Sequence, residues 1–295
     1  MRLALATYAA LPGLTADDRL VVPELARAGI TARPAVWDDP TVRWDDFDAV
    51  AIRSCWDYHR KPAAFQAWVR RMEAFGLRVL NPPPVLRWNA DKRYLRDLAA
   101  AGVPVIPTVW IDQGARASLA EILAERGWRD VVVKPAVSAS AHQTWRVAAV
   151  DAGDVQPRFS ALAALGHVLV QPFVDKIRTS GEWSLVFLGD AFSHAVVKRP
   201  RDGDFRVQSE HGGSYAAATP PSHLIDAAQA ALAAAPGPRV YARVDGCVVD
   251  GVFRLMELEL LEPGLFLATH PEAPRRFARA IASALAGAAE CSSAA

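Results

Sequence analysis

Residues 241–264 read YARVDGCVVDGVFRLMELELLEPG. Asp245 precedes a turn between Gly246 and Gly251, whose tight part is Asp250-Gly251, and the chain returns as an extended run from Phe253 to Leu261. Side chains alternate faces in a strand, so Glu257 and Glu259 are expected on one side, roughly 6–7 Å apart. The same side is expected to carry Phe253, Leu255 and Leu261, with Met256, Leu258 and Leu260 on the other. Two carboxylates in a strand that is apolar on both faces are costly to bury unless something pairs with them. A hard divalent cation on carboxylate oxygens, its shell completed by phosphate, compensates that cost. An amphipathic strand whose glutamates meet water or arginine reads as well from these residues alone. Asp245 tilts the balance toward metal, because a hairpin brings it beside the pair.

The 295 residues suffice for a large core and for two or three lobes. With 52% hydrophobic and 22% charged residues the composition is that of an ordinary globular protein, not a disordered one. A net charge of +1 gives no electrostatic reason to expect nucleic acid or an anionic membrane as partner. No apolar run reaches the roughly 18 residues a membrane-spanning helix needs. The start, MRLALATYAALPGL, reads as a first buried strand rather than a signal peptide. Cys55, Cys247 and Cys291 are odd in number and far apart, which fits reduced thiols better than disulfides, and no CxxC or HxxxH spacing suggests zinc. These features lead us to expect a cytoplasmic protein.

Outward from the acidic hairpin, residues 1–88 alternate strand and helix signals. Strands are expected at Leu3–Tyr8, Thr31–Trp37, Asp48–Arg53 and Leu77–Leu80, with helices at Asp17–Ala28 and Pro62–Phe75. That alternation implies parallel β-α units in an open sheet, whose ligands gather where strands end. Thr7 and Tyr8 follow the first strand, and Arg53-Ser54-Cys55-Trp56-Asp57-Tyr58-His59 follow the third. An arginine and an aspartate among aromatic residues could clamp the carboxylate and ammonium of an amino-acid-like molecule. A loop that caps the sheet edge, with the tryptophan packed inward, is the plainer alternative.

Asn81-Pro82-Pro83-Pro84 reads as a boundary that excludes helix or central strand. A helix is expected over Asn89–Ala101, with Asn89 as N-cap, Gly102 as stop, and Lys92 in a first turn where a cation is unfavourable without an anion nearby. A strand over Val105–Ile111 and a helix over Ser118–Arg126 follow. Then comes DVVVKP (130–135) with the loop AVSASAHQT (136–144). A lysine ending an apolar strand before small residues can hold phosphate, since small side chains let backbone N–H groups approach. The loop has no glycine and no GxxxxGK[ST], so an ordinary turn reads equally well. His142 is left without a role.

Val168–Val174 is expected to be a strand, followed by Asp175. Antiparallel strands are expected at Trp183–Leu188, Phe192–Lys198 and around Val207, with Gly189-Asp190 as a hairpin turn. Lys198, Arg199 and Arg206 lie close together in sequence, and arginine suits a bidentate grip on phosphoryl oxygens. Helices are expected over 221–235 and over Pro271–Ala286, with Gly287 as the last stop and a frayed tail from Glu290 to Ala295.

The order of these parts resembles the ATP-grasp ligases, the group that contains glutathione synthetase and D-alanine–D-alanine ligase. No single motif is specific; order and spacing over nearly the whole chain carry the resemblance. It implies an α/β and α+β fold: an N-terminal open parallel α/β substrate-binding domain (1–88), a small lobe (89–170) and a large lobe with the metal site (171–290) that grip ATP between them, and a tail (291–295). It assigns Lys92, Lys134, Ser138, Ser140, Gln171, Phe173, Val174 and Asp175 to ATP, with Asp175 at the ribose. Arg199, Arg206 and Lys134 would act on the transferred phosphoryl group. Asp245, Glu257 and Glu259 would hold Mg2+, two ions in this reading. Tyr8, Arg53, Ser54, Trp56, Asp57, Tyr58 and Glu262 would seat a small amino-acid-like carboxylate substrate. RSCWDYH, the Asp17-Asp18 segment and KPAVSAS are similar to the small branch containing the O-ureido-serine cyclo-ligase of cycloserine biosynthesis. Such ligases often pair as homodimers. An intermolecular amino-acid or dipeptide ligase and a non-catalytic ATP sensor are the alternatives. A dinucleotide-dependent oxidoreductase would need GxGxxG after the first strand, where TYAALPG (7–13) stands instead.

Overall fold

The apolar runs of the first eighty residues pair as a parallel sheet, as strands separated by helices must. The computed structural model describes residues 1–287 in full and the backbone of 288–292. Its first sheet contains β1 (Arg2–Thr7), β2 (Thr31–Val36), β3 (Ala49–Ser54) and β4 (Arg78–Leu80), ordered β2-β1-β3-β4. Leu3 to Ala6 and Ala49 to Ile52 are wholly buried, as central parallel strands covered on both faces are. Pro34 is tolerated because β2 is an edge strand.

The second sheet is antiparallel, with β5 (Val109–Ile111), β6 (Asp130–Pro135), β7 (Trp145–Ala148) and β8 (Val168–Pro172) in the order β5-β8-β6-β7. The alternation along β6 divides its side chains. Val131 and Val133 pack with Leu119, Leu123 and Phe159 of the covering helices, while Val132 and Lys134 face a cleft. The third sheet contains β9 (Glu182–Leu188), β10 (Ala191–Arg199), β11 (Ser214–Ala217), β12 (Tyr241–Val249) and β13 (Val252–Glu259), ordered β11-β10-β9-β12-β13. Asp250 and Gly251 join β12 to β13 with φ of 52° and 78°, the left-handed pair that a two-residue hairpin requires.

The cores cross the order of the chain. Helices Tyr94–Ala100 and Ser222–Ala233 pack on the third sheet through Leu95, Leu98, Leu224 and Ala228 against Leu185, Phe187, Val244 and Leu258. The terminal helix returns to the N-terminal sheet, where Phe277, Ile281 and Leu285 meet Leu3, Leu5 and Leu25. Among the described residues no helix is long and apolar enough to cross a membrane.

Four local expectations are corrected. The prolines after Asn81 do not exclude helix: Pro83 and Pro84 open the helix Pro83–Asn89, at positions where a missing N–H costs nothing. Asn89 is thus the last residue of one helix and not the N-cap of the next, which spans Tyr94–Ala100. Its amide is spent on β13 instead, donating to the Leu258 carbonyl at 2.7 Å and accepting from Leu260 N at 2.7 Å. The segment around Val207 is a loop, the added strand being Ser214–Ala217. The terminal helix runs through Gly287 to Ser292; the last residues of the expected tail, 293–295, lie outside the described residues.

Candidate functional site

Alternate residues of the second and third sheets line a cavity of ≈ 500 Å³ that also reaches the loops of the N-terminal domain. Lys92, Lys134, Ser138, Ser140, Gln171, Phe173 and Val174 stand on its walls, as do Arg206, Asp245, Glu257 and Glu259, with Trp56, Tyr58 and Glu262 toward the N-terminal domain.

The acidic hairpin is built differently from a plain alternating strand. The β12–β13 ladder pairs Asp245 with Glu257 but Gly246 with Leu255, which leaves Met256 as an extra residue. A bulge of this kind reverses the parity of the strand beyond it. Phe253 and Leu255 therefore share the core face with Leu258 and Leu260, not with the glutamates as plain alternation predicts. Glu257 and Glu259 both turn to the cleft. Gly246, opposite the bulge, has room for no side chain, since a Cβ there would lie 2.5 Å from the Arg254 carbonyl oxygen.

Cations hold these carboxylates. Asp245, 2% exposed, accepts from Lys198 Nζ at 2.9 Å, Arg243 Nη2 at 2.8 Å and Ser184 Oγ at 2.6 Å. Arg243 bridges onward to Glu259, Lys198 to Glu182 at 2.6 Å, and Lys92 to Glu257 at 3.0 Å. Burial alone would raise the Asp245 carboxyl, but Arg243 and Lys198 outweigh it and hold the group well below the usual carboxylate range. Burial pushes Glu259 up to about 8, against the pull of Arg243. Glu262 is pushed up to about 7 by burial, with Lys92 opposing and Glu257 adding to the rise. Glu257 goes the other way, because Lys92 and Lys134 overcome its burial.

Lys92 and Lys134 flank the loop 136–144. Lys92 Nζ donates to the Ser138 carbonyl at 2.6 Å, and burial lowers Lys134 to about 8. The loop turns without glycine by placing Ser140, Ala141 and Gln143 at φ of 49°, 53° and 52°, a strain of roughly 1 kcal/mol or more each. Contacts across the cleft offset it: Ser140 Oγ donates to Glu210 at 2.9 Å, and His211 Nε2 lies 3.3 Å from the Ser140 carbonyl. His142 faces His59 of the N-terminal domain, ring centres 5.0 Å apart; burial, then His142, lowers His59 to about 4, so it is neutral at physiological pH.

The structure redistributes several of the expected roles. Arg53 does not reach the cleft. Its side chain is fully buried, donating to Asp18 at 2.9 Å and to the Pro263 carbonyl at 2.7 Å, and it lies 4.8 Å from the Tyr241 ring centre. It can touch a substrate only through Asp18, which does line the cavity beside Asp17. Ser54 is buried against Thr7, Asp57 is taken by the Trp37 indole at 2.8 Å and by Lys61, and Tyr8 packs near Trp56; none of the three lines the cavity. Trp56, Tyr58 and Glu262 do. Arg199 is exposed, because neighbours on a strand face opposite ways and Lys198 takes the inward position. Asp175 also points to solvent, its side chain 73% exposed. Arg206 lines the cavity, paired with Asp204 at 2.8 Å. Arg243 and Glu182 were missed from sequence, while Lys198 was noted only as one of three clustered cations and Asp17-Asp18 only for the resemblance it carries. Arg243 was findable, since it stands two positions before Asp245 on the same strand face.

A metal fits part of the expected set. Among the described residues no three acidic, histidine or cysteine groups converge so as to hold an ion unaided. Asp245 has both oxygens engaged by Arg243, Lys198 and Ser184 and serves as counter-ion to the two buried cations. Glu257 and Glu259 face the cleft with side chains 29% and 22% exposed, hard oxygen donors of the kind Mg2+ takes together with phosphate.

Comparison with known proteins agrees with this geometry. The family described as the N-terminal domain of D-cycloserine synthetase DcsG matches residues 3–81. The cycloserine biosynthesis protein DcsG of Streptomyces lavendulae is 35% identical over 96% of this chain and 98% of its own. The crystal structure of D-cycloserine synthetase DcsG superposes with a TM-score of 0.88 at 34% identity, covering 96% of this chain and 99% of that one. A D-alanine–D-alanine ligase from Bacillus anthracis complexed with ATP shares the fold, with a TM-score of 0.70 at 16% identity over 98% and 99% of the two chains. ATP and Mg2+ are accordingly the co-substrate and cofactor of this fold. The chain belongs to the DcsG family of ATP-grasp ligases, and it is an ATP-dependent enzyme that forms carbon–nitrogen bonds.

Proposed function

We propose that the enzyme phosphorylates the carboxylate of O-ureido-D-serine with ATP, and that a nitrogen of the same molecule then attacks the acyl phosphate to close the ring of D-cycloserine. The observation that carries this reading is likeness along the whole chain to a cycloserine biosynthesis protein, including the N-terminal domain that supplies Trp56 and Tyr58 to the cleft. ATP fits between the second and third sheets, with its base toward Phe173 and Val174 and its phosphates toward Lys92 and Lys134. Glu257 and Glu259 would hold Mg2+, two ions in this reading, through their oxygens, and the metal would supply positive charge against the phosphates. Arg243 and Lys198, with Arg206 at the rim, face the position of the transferred phosphoryl group, and Asp245 and Glu182 keep the first two in place. The loop 136–144, held to Glu210 and His211, keeps water from the acyl phosphate. Asp17, Asp18, Trp56, Tyr58 and Glu262 surround the amino-acid end, where the carboxylates of Asp17 and Glu262 suit an ammonium group.

The direct test is release of ADP and phosphate from Mg-ATP across a panel of O-ureido-D-serine and both enantiomers of serine and alanine. Release with O-ureido-D-serine alone, without a second amine, is the expected result. Release that requires two amino acids would replace cyclisation with intermolecular ligation.

Lys134 supplies a pH signature. Its folded value of about 8 lies below that of a free lysine, so the ligand-free enzyme loses this charge as pH rises through 8. The ratio kcat/KM for ATP, which reports free-enzyme ionisations, should then fall by about tenfold per pH unit on the alkaline side. Lys134→Arg should flatten that limb, since arginine keeps its charge. An unchanged alkaline limb in the variant would remove Lys134 from phosphate binding.

A further inference from the structure

A second cavity, of ≈ 940 Å³, shares no lining residue with the ATP cleft. Its walls are the end of β4 with Pro82, the β9–β10 turn, the segment Pro238–Val240 and one side of the terminal helix. The floor is apolar, with Val79, Leu80, Leu188, Phe192 and Val240 on it. Four arginines stand around this floor: Arg78, Arg239, Arg276 and Arg279. Among the described residues no carboxylate lines the cavity.

Three of the arginines are anchored on backbone carbonyls, and among the described residues only Arg239 has a carboxylate within reach. Arg276 Nη1 donates to the Ser193 carbonyl at 2.6 Å, Arg78 Nη1 to the Leu285 carbonyl and Arg239 Nη1 to the Leu232 carbonyl. Each contact spends one N–H on a backbone oxygen and leaves the other donors of the fork free. Asp190 comes within 3.5 Å of Arg239, yet its own side chain is 90% exposed and so gives a screened, weak contact. That contact is made by Arg239 Nε, which is buried and makes no hydrogen bond, and a buried donor so weakly met is costly. An anion in the cavity would meet that donor and balance the positive charge of the arginines that line it.

We propose that this cavity is a binding site for a small organic anion, a carboxylate or phosphate ester on a flat apolar body. The guanidinium forks bind the charged group and the apolar floor takes the body. Because β4 belongs to the N-terminal sheet and the β9–β10 turn to the third sheet, the occupant ties the substrate domain to the lobe that carries the acidic hairpin.

The test uses the full-length enzyme with saturating Mg-ATP, so that the catalytic cleft is filled. Isothermal titration with 1-naphthylacetate is compared with its neutral isostere 1-naphthylacetamide. The anion should bind one-to-one, about tenfold more tightly than the amide, as a charge-assisted hydrogen bond requires, and more weakly as sodium chloride is raised. Arg279→Gln, an exposed position, should weaken the anion by a similar factor and leave turnover without the anion unchanged. Arg239→Gln, with its fold checked by circular dichroism, should do the same. Failure of the anion to bind, equal binding of acid and amide, displacement by ATP, or indifference to both substitutions would overturn the proposal. Binding to phosphatidylglycerol vesicles but not to the free anion would also overturn it, in favour of a membrane surface.

Discussion

Replacing Glu257 by glutamine is expected to lower turnover by about a thousandfold while the protein still folds and binds ATP, a loss of about 4 kcal/mol in transition-state stabilisation. Glu257 is the carboxylate that Lys92 and Lys134 hold most firmly ionised, and it opens to the cleft where phosphoryl charge develops. Glutamine keeps its shape and one oxygen but removes the charge that a hard cation needs. Lys92 is buried and loses this ion-pair partner, but it keeps the Ser138 carbonyl and the nearby Glu259 and Glu262, so the stability loss should be smaller than for Asp245→Asn. The measurements are ADP release at saturating Mg-ATP and substrate, ATP affinity by titration, and circular dichroism. A variant within tenfold of the parent rate would sink the role of Glu257 in metal binding.

Asp245→Asn should act on the fold rather than on the metal. Lys198 and Arg243 are buried cations that both lean on this carboxylate. Removing one partner of a buried ion pair costs about 3–5 kcal/mol, and Glu182 and Glu259 place the expected loss near the lower end of that range. Phosphate is an anion of the right kind to repair the defect, so ATP added without Mg2+ should recover part of the lost stability. If Asp245 were instead an open metal ligand, its removal would relieve repulsion from Glu257. The ligand-free protein would then keep or gain stability, while the Mg2+ requirement rose steeply. Chemical denaturation with and without ATP separates these results. The pH dependence has a definite sign: a carboxyl held below its unfolded value stabilises the fold above the ordinary carboxylate pKa and loses that contribution as pH falls through the folded value. The parent should therefore lose stability in acid that the variant has already lost.

Much of this was open to reading in the chain itself. The β-α alternation over residues 1–80 identified a parallel sheet, because apolar runs of that length between helices have few other ways to be buried. Asp250-Gly251 marked a hairpin, because few residue pairs accept two positive φ values. ATP, magnesium and ligation came from the resemblance of the whole chain to ATP-grasp ligases, which the order of Lys92, Lys134 and the acidic strand carried, and not from any local signal. The sheet and the hairpin depend on residues close in sequence, where propensity and alternation decide.

What the tertiary structure decided is which polar groups share a space. A one-residue bulge at Met256 placed Phe253 and Leu255 opposite to where alternation put them, and a ladder shift of that kind has no local signal. Arg53 looked like a substrate clamp from its loop, yet Asp18 and Pro263 from distant segments enclose it. Lys198 rather than neighbouring Arg199 faces the cleft because of the pairing of β10 with β9. Asp245 meets Arg243, Lys198 and Ser184 because three strands bring them together. A sequence determines which elements form and what chemistry they carry; the packing of elements far apart in the chain determines which charges meet, because electrostatic partners are chosen by distance in space.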